Sequence, residues 1–131
     1  MTENKIPTSN RLIDVSVATT YIDAQSQAAQ KQFVYAYTIT IKNCGTEPAK
    51  LISRQWLIID ANDARQEVQG PGVVGEQPRL EPGEEYTYTS GVVLETQTGT
   101  MEGSYQMRTD ENQYFSAPIA TFALVPPHAI H

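Results

Sequence analysis

The sequence predicts an all-β chain folded as an antiparallel β-sandwich, and three observations carry that prediction. Apolar and polar residues alternate with a period of two along most of the chain, the spacing that sets one face of a strand on a core and the other in water. Turn chemistry interrupts the alternation roughly every 8 to 15 residues, the rhythm of a sandwich of about seven strands. No segment sustains the helical period of about 3.6 residues over about ten positions.

The first strand sets Ile13, Val15, Val17, Thr19 and Tyr21 on one face and Asp14, Ser16, Ala18 and Thr20 on the other. AQSQAAQKQ, from Ala24 to Gln32, is helix-friendly but has no apolar stripe, so it reads as a loop with one turn at most. QFVYAYTITIKN places Phe33, Tyr35, Tyr37, Ile39 and Ile41 on one side and is rich in aromatic and β-branched residues. NCGTEP ends it. In AKLISRQWLIID, Ile52, Arg54, Trp56 and Ile58 share one face, and Leu51, Ser53, Gln55, Leu57 and Ile59 the other. Apolar residues on both faces predict a central strand. ANDA supplies a turn, RQEVQG a short return strand, and LEPGEEYTYTSGVVL a strand with Tyr86 and Tyr88 on one face. GTMEGSYQMRT aligns Met101, Gly103, Tyr105 and Met107. YFSAPIATFAL closes the series, and Pro118 makes its first half an edge or a break in the ladder.

At 131 residues the chain fits one domain, 1–131, burying roughly two-thirds of its unfolded surface, with 1–10 and 126–131 as loose tails. Hydrophobic and charged fractions of 40% and 18% are those of a globular protein. A net charge of -6 repels phosphate backbones and anionic membranes, so neither nucleic acid nor membrane is the expected partner. The single cysteine, Cys44, cannot bridge internally and fits a reducing, cytoplasmic setting. MTENKIPTSN lacks the basic start and apolar run of a signal peptide, and the apolar run from Trp56 to Ile59 falls far short of the roughly 20 residues a membrane helix needs.

The motif with the most chemical interest is GPGVVG, residues 70–75, which matches the G-x-G-x-x-G of dinucleotide-binding folds. Those glycines must open a helix whose amides hold the pyrophosphate, and Pro78 and Pro82 forbid one here. A structural reading makes Gly70, Gly72 and Gly75 positive-φ residues of a crossing loop, with Val73 and Val74 tucked into the core edge. A second reading makes the loop an anion-binding nest assisted by Arg79.

Other chemistry is sparse. His128 and His131 follow Pro126 and Pro127 in the tail, so no histidine triad is expected. Asp60, Asn62, Asp63 and Glu67 lack EF-hand spacing and read as a solvated hairpin tip, the weaker alternative being a hard-cation site. Glu84 and Glu85, as strand neighbours, point to opposite faces and make no acid–base pair. Arg54 shares a face with Trp56 and is either a guanidinium lying on an aromatic ring or a recognition residue.

FVYAYTITIKN, SRQWLI, GPGVVGEQPRLEPGEEYTYTSG, GTMEGSYQM and the late Phe122-x-Leu124 resemble the ApaG family of small bacterial proteins. The resemblance covers residues 10 to 125 and implies an immunoglobulin-like or fibronectin type III-like sandwich for which no enzymatic activity is to be assumed; no cofactor is expected. It also implies a distant link to cobalt resistance and magnesium efflux, and a role in binding other proteins. Gln55 stands where the family often has His, which removes the best imidazole ligand in the body of the fold and weakens direct cobalt binding. Ala120 follows Ile119 where the family has Pro, and Pro71 replaces a common acidic residue. The expected function is a non-catalytic module that binds a protein partner through an exposed strand edge or the Val73–Val74 loop face. The alternative is a phosphate, pyrophosphate or nucleotide sensor using Gly70 to Gly75. Candidate site residues are therefore Gly70, Gly72, Val73, Val74, Gly75 and Arg79 for the loop, with Arg54 and Trp56 for recognition.

Overall fold

In the computed structural model, which describes residues 12–127, the alternation becomes eight strands rather than seven. These are β1 (Ile13–Tyr21), β2 (Phe33–Asn43), β3 (Ala49–Asp60), β4 (Arg65–Pro71), β5 (Arg79–Leu80), β6 (Glu85–Leu94), β7 (Gly99–Thr109) and β8 (Tyr114–Leu124). The additional one is β5, two residues that pair with the start of β3 and are too short to show a period. One sheet has the order β1-β2-β6; the other has β4-β3-β7-β8 with β5 beside β3. Every ladder is antiparallel. β3 is internal, as its two-sided apolar pattern predicts, and Pro118 lies on β8, an edge strand where a missing N–H is tolerated.

The inward faces of the two sheets form the core. Tyr35, Ile39, Ile41, Leu51, Met101, Tyr105, Met107 and Leu124 are essentially without solvent contact. Tyr37, Trp56 and Phe122 pack as a trio of rings that joins both sheets, with centroids 5.5, 6.0 and 6.3 Å apart; such tilted and edge-on contacts add about 1 kcal/mol each beyond area burial.

Two β-bulges correct the sequence reading of faces. Alternation alone puts Leu51 opposite Trp56, yet both are buried, because the β3–β7 register shifts between Leu51 and Ser53. Ile52 is the extra residue and turns the strand by one position. In β8, Ala117 and Ile119 are buried ahead of the shift and Leu124 after it. Gly103 lies beside this second irregularity, and a Cβ there would collide with the Gln55 carbonyl oxygen.

Two single 3-10 turns, Asp23–Gln25 and Ala28–Gln30, fall in and beside the stretch from Ala24 to Gln32, where one at most is expected from sequence. Asn43, at the end of β2, is buried and ties three segments together. Its Nδ2 donates to the carbonyls of Glu47 and Leu80 at 2.8 and 3.0 Å, and its Oδ1 accepts from the Gly45 amide at 2.9 Å. Pro126, placed in a loose tail by the sequence reading, is buried; residues 1–11, and with them the expected tail 1–10, and 128–131 lie outside the described residues. Among the described residues no helix is long and apolar enough to cross a membrane.

The lateral sides of the sandwich differ. On one, β1 packs against β8. On the other lie β6 and β4; all four strands end their sheets, and among the described residues no further strand pairs with any of these outer edges.

Candidate functional site

GPGVVG is a hairpin turn. The Val73 amide donates to the Glu76 carbonyl at 2.8 Å and the Glu76 amide to the Val73 carbonyl at 2.9 Å. Between them Val74 and Gly75 both have positive φ, 42° and 83°, which makes a type I′ turn. Gly72 also has positive φ, 59°. Gly70 does not, and its smallness serves another purpose: a Cβ there would lie 2.9 Å from a guanidinium nitrogen of Arg54.

The two valines separate, which corrects the expectation that both enter the core edge. Val73 is fully buried, whereas Val74 is 56% exposed. A β-branched residue in the left-handed region is strained, and here it is held at the outermost point of the turn. Three amides of this turn are committed inside the protein: Gly72 donates to the Ile52 carbonyl at 2.9 Å, and Val73 and Glu76 bond each other. The expected assistance from Arg79 is also absent from the loop. Its guanidinium forks onto Asp110 at 3.1 and 2.6 Å and reaches Glu81 at 2.8 Å, and this pairing holds the Asp110 carboxyl below its ordinary value.

Arg54 faces inward with Trp56, as the parity of β3 predicts, but it does not leave by stacking on that ring. It crosses above Gly70, its cross-strand partner on β4. One guanidinium nitrogen, Nη1, donates to the carbonyls of Pro71 and Gly72 at 3.1 and 3.0 Å. Among the described residues Arg54 has no carboxylate partner; the ion pairs present are those of Arg79. Trp56, the other recognition candidate, is 3% exposed and belongs to the aromatic trio.

Arg54 stands at the rim of a cleft of about 510 Å³ on the open side of the sandwich, between β6 and β4. Trp56, Ile58, Val68, Val34, Val92 and Met101 supply its apolar surface, and Tyr37, Gln66 and Ser90 add polar groups to the lining. A second recess of about 450 Å³ continues it past Ile58, Gln66 and Val93 toward Asp60 and Arg65. Val93, at its lip, is 53% exposed. The sequence carries these residues as ordinary strand positions; only the pairing order makes β6 an edge and brings β4 opposite it.

The hydroxyls of Tyr88 and Tyr105 meet at 2.6 Å in the interior. Burial pushes Tyr88 up to about 12 and Tyr105 further still, with the Arg54 charge pulling weakly the other way on both. The remaining sequence candidates are structural. Asp60 Oδ1 accepts from the amides of Asn62 and Ala64 at 2.8 and 3.0 Å, closing the hairpin tip. Among the described residues no group of three or more acidic, histidine or cysteine side chains is placed to hold a metal. A Glu84 carboxylate oxygen accepts from the Glu81 amide at 2.8 Å, and Cys44 is exposed.

An eight-stranded antiparallel β-sandwich domain is the class these features define. The chain belongs to the ApaG domain family, whose model matches residues 23–109. Curated relatives agree: the Protein ApaG of Ectopseudomonas mendocina and that of Azotobacter vinelandii are each 52% identical over 119 residues, covering 91% of this chain and 94% of theirs. Among solved structures, the crystal structure of the putative ApaA protein from Bordetella pertussis superposes with a TM-score of 0.86 at 48% identity, covering 88% of this chain and 94% of that one. A second X-ray structure, a structural-genomics target, gives 0.88 at 44% identity over 93% and 92%.

Proposed function

We propose that this chain is a non-catalytic interaction module of the cytoplasm that binds a protein partner through the open side of its sandwich. The observation that carries the reading is the cleft between two edge strands, with apolar and polar groups mixed in its lining and Val93 exposed at its lip. A free strand edge beside apolar side chains is what strand-adding partners use. The strand order, three strands facing four with a short fifth, supports an immunoglobulin-like, fibronectin type III-like sandwich as the scaffold. Exposed Cys44 supports a reducing compartment.

Affinity capture from cell lysate tests the reading, comparing the natural chain with Val93→Lys and Val74→Asp. Both residues are exposed, so both variants should stay folded. Loss of a specific partner with Val93→Lys supports the open side; a partner retained by Val93→Lys and lost with Val74→Asp moves the contact to the turn. Val73→Asp is unsuitable, because Val73 is fully buried.

A further inference from the structure

We infer that the open side accepts an extended, acidic segment of a partner protein as an added strand on β6, with apolar side chains in the cleft and a carboxylate on Arg54. This inference rests on the interaction-module reading and specifies the partner's chemistry.

Two observations choose the strand and its companion charge. β6 runs ten residues, Glu85–Leu94, and contains no lysine, arginine or proline, the devices that ordinarily block strand addition at an edge. β4, facing it, has both: Arg65 and Glu67 are charged, and Pro71 lacks a donor. Addition therefore belongs to β6. Arg54 then supplies the charge preference. Among the described residues only Nη1 is bonded, to two carbonyls. Nη2 and Nε make no hydrogen bond to the protein among the described residues, and Arg54 is one of the residues that line the cleft. A planar cation with unused donors beside apolar surface is matched by a carboxylate.

The register follows from the order of residues along the cleft. Tyr88 meets Tyr105, the β7 partner of Arg54, so the Arg54 level of the cleft lies toward the first half of β6. Ile58 and Val93 line its other end. A strand antiparallel to β6, as every ladder of this fold is, meets Ile58 first, the Trp56 and Val68 level next and Arg54 last. Inward positions recur every second residue. The expected segment thus carries apolar side chains at one position and at the second after it, and Asp or Glu two positions further on.

Selecting random displayed dodecapeptides on the immobilised chain tests this. The expected consensus is the apolar-x-apolar-x-acidic pattern. For a synthetic peptide carrying it, affinity should fall about tenfold with Arg54→Gln and less with Arg54→Lys. Val92→Lys, an inward charge on β6, should abolish binding. Circular dichroism confirms that each variant is folded; should Arg54→Gln not fold, the same peptide with Asn in place of its acid gives the equivalent comparison on the natural chain. Enriched peptides without an acidic preference, or binding indifferent to Val92→Lys, overturn the inference. So does a selection that enriches nothing. If lysate capture nonetheless yields a partner lost with Val93→Lys, the added-strand account falls and the interaction module stands; if both experiments are blank, both fall.

Discussion

Val74 is the residue at which sequence rules and structure part most clearly. Its φ of 42° is one that asparagine and glycine adopt readily in type I′ turns and valine does not. Val74→Asn creates the preferred Asn-Gly pair of such a turn, so urea unfolding should show a gain of about 1 kcal/mol. The buried phenols give the pH dependence. Tyr88 in the folded chain ionises near 12, against about 10 when unfolded. Below about pH 10 both states keep the proton and the stability is complete; from there to about pH 12 only the unfolded chain ionises and stability falls. Tyr105→Phe should cost about 1 to 3 kcal/mol at neutral pH by leaving the Tyr88 hydroxyl without its partner. Denaturant titrations across alkaline pH check both statements, and a stability independent of pH above 10 would refute the first.

At the scale of elements, the faces of β2 and β7 are legible in the sequence because each keeps an unbroken period of two: Tyr35, Tyr37, Ile39 and Ile41, then Met101, Tyr105 and Met107, are buried as their spacing predicts. The bulges at Ile52 and in β8 are not legible. A bulge is a property of the pairing between two strands, and a single strand's alternation does not record which residue its partner skips. The same limit applies to the candidate site. The inward turn of Arg54 follows from its parity with Trp56, but the space it occupies over Gly70 follows from a cross-strand register. β5 and the edge position of β6 are likewise consequences of topology. Gly103 shows how closely these elements approach one another. Gly103→Ala drives a methyl into the Gln55 backbone and should cost about 3 kcal/mol, whereas Gly75→Ala meets open space and should cost only the left-handed penalty of about 1 kcal/mol. Equal losses in thermal unfolding would contradict the clash.

For the whole molecule, the net charge of -6 makes Arg54 a local exception in a field that repels anions. An acidic segment must therefore gain its place by contact, through backbone pairing and burial in the cleft, and not by long-range attraction. The added strand is assigned to the β6–β4 side, where the cleft opens beside Arg54. Amide hydrogen exchange, comparing the free chain with the chain saturated by its captured partner, tests that claim most directly. The account predicts slowed exchange in β6 from Thr87 to Val93, with smaller effects along β4. Protection confined to β1 and β8, leaving β6 unchanged, would contradict it.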